Sequence, residues 1–182
     1  VGRVWTKEEL TALGDICVKH GVIVVSDEIH ADFVFEGKHQ VFAAIKEEFA
    51  QISVTCTAPS KTFNLAGLQV SNIFIPDDAL RRKFEQAVAA SGYSQLNTMG
   101  LVACEAAYRY GEEWYDAVKA YIRENLTYAQ HFLEEQIPQV KAVKPEGTYL
   151  LWVDFRSLGL SRKELEELMS ECPSEVSAEQ LR

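Results

Sequence analysis

Apolar positions along this chain change their period several times, and each change marks an element. Thr6-Lys7-Glu8-Glu9 has the spacing of a capping box, in which Thr6 accepts the Glu9 amide and Glu9 reaches back. Behind it Leu10, Leu13, Ile16 and Cys17 recur at helical spacing, and Gly21 suits a left-handed helix end. Val22-Ile23-Val24-Val25 then runs without alternation, the pattern of a central strand covered on both faces. It stops at the polar group Ser26-Asp27-Glu28-Ile29-His30. A second β-rich run over 52–57 ends at Thr57-Ala58-Pro59-Ser60-Lys61, and a third covers Val70 to Ile75.

Asp77 is placed to cap a helix carrying Leu80, Phe84, Ala87 and Val88. Further helices are predicted over 95–110, closed by Gly111, and over 113–136, closed by Pro138. The second of these carries Trp114, Val118, Tyr121, Ile122, Leu126, Ala129, Phe132 and Leu133 on one stripe, which reads as packing surface. A strand over Thr148 to Phe155 and a helix from Ser161, with Glu164 three residues on, complete the pattern. Alternating helices and strands predict an α/β sheet with helices on its faces. The pattern changes near residue 116, which divides the chain into 1–116 and 117–182, the latter a connecting helix followed by a smaller α+β unit.

Composition narrows the function classes. A net charge of −9 opposes a nucleic-acid surface, which needs clustered Lys and Arg. No apolar run reaches the roughly 18 residues of a membrane span, and no signal peptide is recognisable. Cys17, Cys56, Cys104 and Cys172 are far apart with no CxxC pair, so neither a zinc site nor a disulfide framework is expected. That usage fits a reducing cytoplasm. The chain opens at Val1 without Met and reads as part of a longer protein.

The chemistry gathers at two strand ends, the place where open α/β sheets bind ligands. One end carries Asp27, Glu28, His30 and Asp32; the other carries Ser60, Lys61, Thr62 and Asn64. Carboxylates and imidazole at the first end could form a metal cluster. Extended backbone, however, turns Asp27 and Glu28 to opposite sides, and no metal is expected. An acid and a lysine at neighbouring strand ends suit pyridoxal phosphate (PLP) instead. The lysine amine can condense with the cofactor aldehyde, and the carboxylate can keep the ring nitrogen protonated.

Three segments carry a family resemblance. Ser60-Lys61-Thr62-Phe63-Asn64-Leu65-Ala66-Gly67-Leu68-Gln69 resembles the cofactor-lysine motif of PLP-dependent fold-type-I aminotransferases, class I/II. Val25-Ser26-Asp27-Glu28-Ile29-His30 resembles their pyridine-nitrogen motif, and Val1-Gly2 the tail of their Asn-Pro-x-Asn-Pro-x-Gly segment. His30, the run 58–69 and Gly147-Thr148-Tyr149-Leu150-Leu151-Trp152-Val153-Asp154 are similar to the MalY/PatB-type, cystathionine β-lyase-like branch. The resemblance spans nearly all of the chain to about residue 170.

It implies that residues 1–116 are the C-terminal part of a PLP-binding large domain, with a mostly parallel sheet and helices on both faces. Residues 117–182 would be a connecting helix and an incomplete small domain. It implies Lys61 as catalytic and Schiff-base lysine, and Asp27, His30 and Ser60 as further cofactor-binding residues. It also implies an amino-acid substrate and a homodimer in the full-length protein. The implied reaction is C–S β-lysis, giving pyruvate, ammonia and a thiol. Most class I aminotransferases carry Tyr, Arg and Ser where this chain has His30, Gln69 and Ala58. These departures favour the lyase branch and leave aminotransfer as the alternative. A non-catalytic aminotransferase-like domain of a regulator is a third reading. The glycine-rich phosphate segment and the substrate-carboxylate arginine of the family have no match here, so the chain alone is expected to hold cofactor weakly and turn over nothing.

Overall fold

The structure, a computed structural model, describes residues 2–93 and 95–170. Cys172, Arg182 and the expectations for the last residues lie outside that range. Helix α1 (Lys7–His20) begins with the expected capping box: Glu9 N donates to Thr6 Oγ1 at 3.2 Å, and Thr6 N donates to Glu9 Oε2 at 3.0 Å. It ends at Gly21 with φ 63°, a left-handed cap that satisfies the Cys17 and Val18 carbonyls.

Strand β1 (Val24–Asp27) pairs in parallel with β2 (Ser53–Thr57), Asp27 standing opposite Cys56. Helix α2 (Glu47–Gln51) leads into β2, and the one-turn helix α3 (Pro59–Thr62) leaves it. Strand β3 (Asn72–Phe74) returns antiparallel to β2. The sheet order among the described residues is therefore β1-β2-β3, with one parallel and one antiparallel ladder. The direct return from β2 through α3 to β3 leaves no crossover helix, and a parallel pairing requires one.

Under the sheet, Phe42 and Phe49 stack at 5.1 Å and both are buried. Gly14 in α1 lies flat on the Phe49 ring, where a Cβ would come within 2.4 Å of ring carbon. Glycine in mid-helix costs about 0.5–1 kcal/mol relative to Ala, and this close approach is its reason.

Helices α4 (Asp78–Ala90), α5 (Thr98–Tyr110) and α6 (Glu112–Gln136) follow. Asp77 caps α4 through Leu80 N at 2.7 Å, as expected. Strands β4 (Lys141–Val143) and β5 (Trp152–Asp154) form a separate antiparallel pair. Helix α7 (Arg162–Ser170) carries a second capping box between Ser161 and Glu164.

Two packing expectations are corrected. The run Val22–Val25 reads as a strand covered on both faces, yet Val25 is 66% exposed and Ile23 is also open. Among the described residues β1 is an edge strand, paired only with β2. The α6 stripe reads as packing, yet Tyr121 and Phe132 are exposed and only Leu126 of that helix is buried. Trp114 does meet Phe63, with ring centres 5.7 Å apart.

Candidate functional site

Parallel strands end on the same side of a sheet, so the pairing of β1 with β2 brings Asp27 and the Ser60-Lys61 turn to one edge. The chain after β1 makes a tight turn in which Ile29 N donates to Asp27 Oδ1 at 3.2 Å. The second Asp27 oxygen has no hydrogen-bond partner among the described residues. His30 follows in the same turn. Its imidazole is held below the usual histidine value, first by burial and then by the Lys61 ammonium, with the Asp27 carboxylate opposing. His30 therefore lies within the fields of both residues, and its surroundings favour the uncharged ring.

Asp32 joins the two strand ends mechanically. Thr62, adjacent to Lys61 and 2% exposed, donates from Oγ1 to Asp32 Oδ2 at 2.6 Å. Tyr115 of α6 donates its hydroxyl to the Asp32 carbonyl at 2.5 Å. The turn with His30 and the turn with Lys61 are thus latched together and to α6.

Asp27 and His30 line one cavity of about 390 Å³ with Gly2, Trp5 and Thr148. Lys61 and Ser60 are not part of its lining; Lys61 is exposed and Ser60 half-buried on α3 beside it. The structure thus brings Asp27, His30 and Lys61 into electrostatic reach and leaves Ser60 at the margin. Gln69 is exposed, with φ 51°, and Ala58 is buried.

The expected alternation at the end of β1 is present. Asp27 is exposed, while Glu28 is 8% exposed and turned inward. Glu28 pairs with His39 Nε2 at 2.7 Å and accepts from Ser26 Oγ at 3.0 Å and Phe42 N at 3.3 Å. Burial alone would raise its carboxyl, but these three partners together hold it below the usual value. Such a group stabilises the fold fully above its unfolded value of about 4.3 and loses that contribution as pH falls through its lower folded value. Glu28→Gln is expected to cost about 1–3 kcal/mol at pH 7. Urea unfolding of wild type and variant should show that gap, narrowing below pH 4; an equal midpoint at pH 7 would remove Glu28 from the fold's support.

Thr148, Tyr149 and Asp32 are the site residues that periodicity does not reveal. The Thr148 hydroxyl lies 3.1 Å from His30 Nδ1, and the Tyr149 ring centre 5.1 Å from the His30 ring. The motif Gly147-Thr148-Tyr149 is visible in the sequence, but its contact with His30 spans 118 positions. Among the described residues no group of three or more His, Cys, Asp or Glu is arranged to hold a metal, and no helix is long and apolar enough to cross a membrane.

The fold that carries Asp27 and the Ser60-Lys61 turn to one sheet edge is that of a fold-type-I PLP enzyme. The chain belongs to the aminotransferase class I and II family, whose model matches residues 1–177. It is 49% identical over 169 residues to the cystathionine β-lyase PatB of Bacillus subtilis, covering 92% of this chain and 44% of that protein. Identity to protein MalY of Escherichia coli is 34% over 173 residues, covering 93% and 43%. Among solved structures, cystalysin from Treponema denticola, which contains a pyridoxal 5'-phosphate cofactor, superposes with a TM-score of 0.90 at 41% identity. That match covers 93% of this chain and 43% of cystalysin. The chain spans less than half the length of these relatives.

Proposed function

We propose that the full gene product carrying this chain is a PLP-dependent C–S β-lyase acting on cystathionine-type amino acids. The observation that carries this reading is the placement of Asp27, His30 and Lys61 at one sheet edge, in a chain 49% identical to a cystathionine β-lyase. Residues 1–116 would form the C-terminal part of the cofactor-binding domain, and 117–182 the connecting helix and part of the small domain. A cytoplasmic homodimer is the assembly in keeping with this reading.

The donor set fits the cofactor: a carboxylate oxygen without a partner among the described residues, an exposed primary amine and a half-buried hydroxyl share the strand ends. When bound, pyridoxal phosphate supplies an aldehyde that takes up amines and a ring that accepts electrons from the substrate's α-carbon. Lys61 is the residue whose ε-amine would hold that aldehyde. The same ε-amine, when not attached to the cofactor, would take the substrate's α-proton as general base. The Asp27 carboxylate would hold a proton on the ring nitrogen by a charge-assisted hydrogen bond. His30, its imidazole held below the usual histidine value first by burial, would present its ring within the fields of both. Ser60 would offer its hydroxyl to the phosphate. In balance, the β C–S bond breaks, one water is consumed, and pyruvate, ammonia and a thiol leave.

The full gene product given cystathionine and PLP is expected to release pyruvate and a free thiol in equal amounts. Amino-group transfer to 2-oxoglutarate, with no pyruvate from cystathionine, would overturn the lyase reading in favour of an aminotransferase.

A further inference from the structure

Thr148 adopts a backbone conformation that a β-branched residue rarely takes. Its φ is 64°, in the left-handed region, where Val, Ile and Thr are outliers. It is one of three non-glycine residues with positive φ among the described residues, the others being Asn64 and Gln69. Strain of this kind persists only where the surroundings over-determine it, and it concentrates at functional sites.

The surroundings here are specific. Thr148 N donates to the Phe33 carbonyl at 2.7 Å, and Gly147 N donates to the Gly2 carbonyl at 3.1 Å. An isolated β-bridge joins Val34 to Gly147. These bonds fix the segment against the turn that follows β1 and aim the Thr148 side chain at His30. The hydroxyl then meets His30 Nδ1 at 3.1 Å, and the next residue, Tyr149, lies across the same ring with an interplanar angle of 53°. His30 Nε2 has no hydrogen-bond partner among the described residues.

We infer that Thr148 is a positioning residue: its hydroxyl holds His30 Nδ1, fixes the ring within the fields of Asp27 and Lys61, and leaves Nε2 as the nitrogen free to act toward the cofactor. This rests on the PLP reading for its purpose, although the contact itself does not depend on it. The groups facing His30 are Asp27 from β1, Lys61 from α3, and Thr148 and Tyr149 from the segment before β5. The backbone conformation follows from the role, because glycine would satisfy the same φ without strain but could not supply the hydroxyl.

The test separates the hydroxyl from the backbone. The full gene product, loaded with PLP, is labelled with 15N-histidine, and the His30 ring nitrogens are followed through a pH titration. Thr148→Val keeps the shape and removes the hydroxyl. It should shift the His30 midpoint by about half a unit to one unit, the size of one neutral hydrogen bond, and change the Nδ1 signal. Thr148→Ser should restore both toward wild type. Thr148→Gly should reproduce the His30 change of the valine variant while melting no lower than wild type, since it relieves the strain. Unchanged His30 nitrogens and midpoint in Thr148→Val would overturn the role. So would a His30 change that Thr148→Ser fails to restore. Neither readout depends on lyase turnover, so failure of the lyase reading would be seen separately in the product assay.

Discussion

Lys61→Ala in the full gene product is expected to abolish the borohydride-reducible cofactor adduct and to lower turnover by at least about 10²–10⁴, the contribution of a positioned general base. Two functions are lost together, because the proposed roles give one amine both the covalent attachment and the α-proton transfer. The fold should tolerate the change. Lys61 is exposed on α3, and the contacts that hold this turn belong to its neighbours: Pro59 is buried, and Thr62 is bonded to Asp32. Surface substitutions away from such contacts usually stay within about 0.5 kcal/mol. Inactivity without unfolding is therefore the expected combination. A variant that still traps PLP at wild-type stoichiometry would remove Lys61 from the site.

The second large effect is expected at Asp27. Its two oxygens have different duties in the structure: one accepts Ile29 N and shapes the turn, while the other has no partner among the described residues. Asp27→Asn keeps an oxygen for the turn and removes the charge. It should fold normally and retain bound PLP, yet lose about 10²–10³ in turnover, a loss typical of removing one preorganised electrostatic partner from a reacting centre. Asp27→Ala loses the turn contact as well and should lie lower in stability than Asn with similar activity. Undiminished lyase turnover in the asparagine variant would exclude Asp27 as the partner of the ring nitrogen.

Local signals in this sequence translate into local structure because their physics is local. The capping boxes at Thr6 and Ser161, the Asp77 cap and the Gly21 helix end each need only residues a few positions apart, and all four form. The strand ends with Asp27 and Lys61 were legible for the same reason, since each follows a short apolar run. What was not legible depends on distant pairing. Nothing near residue 32 foretells that Asp32 will hold Thr62 and Tyr115. The left-handed Thr148 is set by carbonyls of Phe33 and Gly2, more than 100 positions earlier, and threonine itself argues against that conformation. Strand β4 escaped because Lys141–Val143 is short and its partner is separated by a long turn. The exposure of Val25 shows the limit of reading burial from apolarity, because an apolar run states a preference and only a packed neighbour satisfies it.

The most direct test of Lys61 as the cofactor lysine is chemical. The full gene product is saturated with PLP, reduced with borohydride, digested, and the peptides are weighed by mass spectrometry. The expected result is a single phosphopyridoxyl group on the peptide containing Ser60-Lys61-Thr62, in proportion to active protein. The same modification on a different lysine, with the Lys61 peptide unmodified, would contradict the assignment of this site.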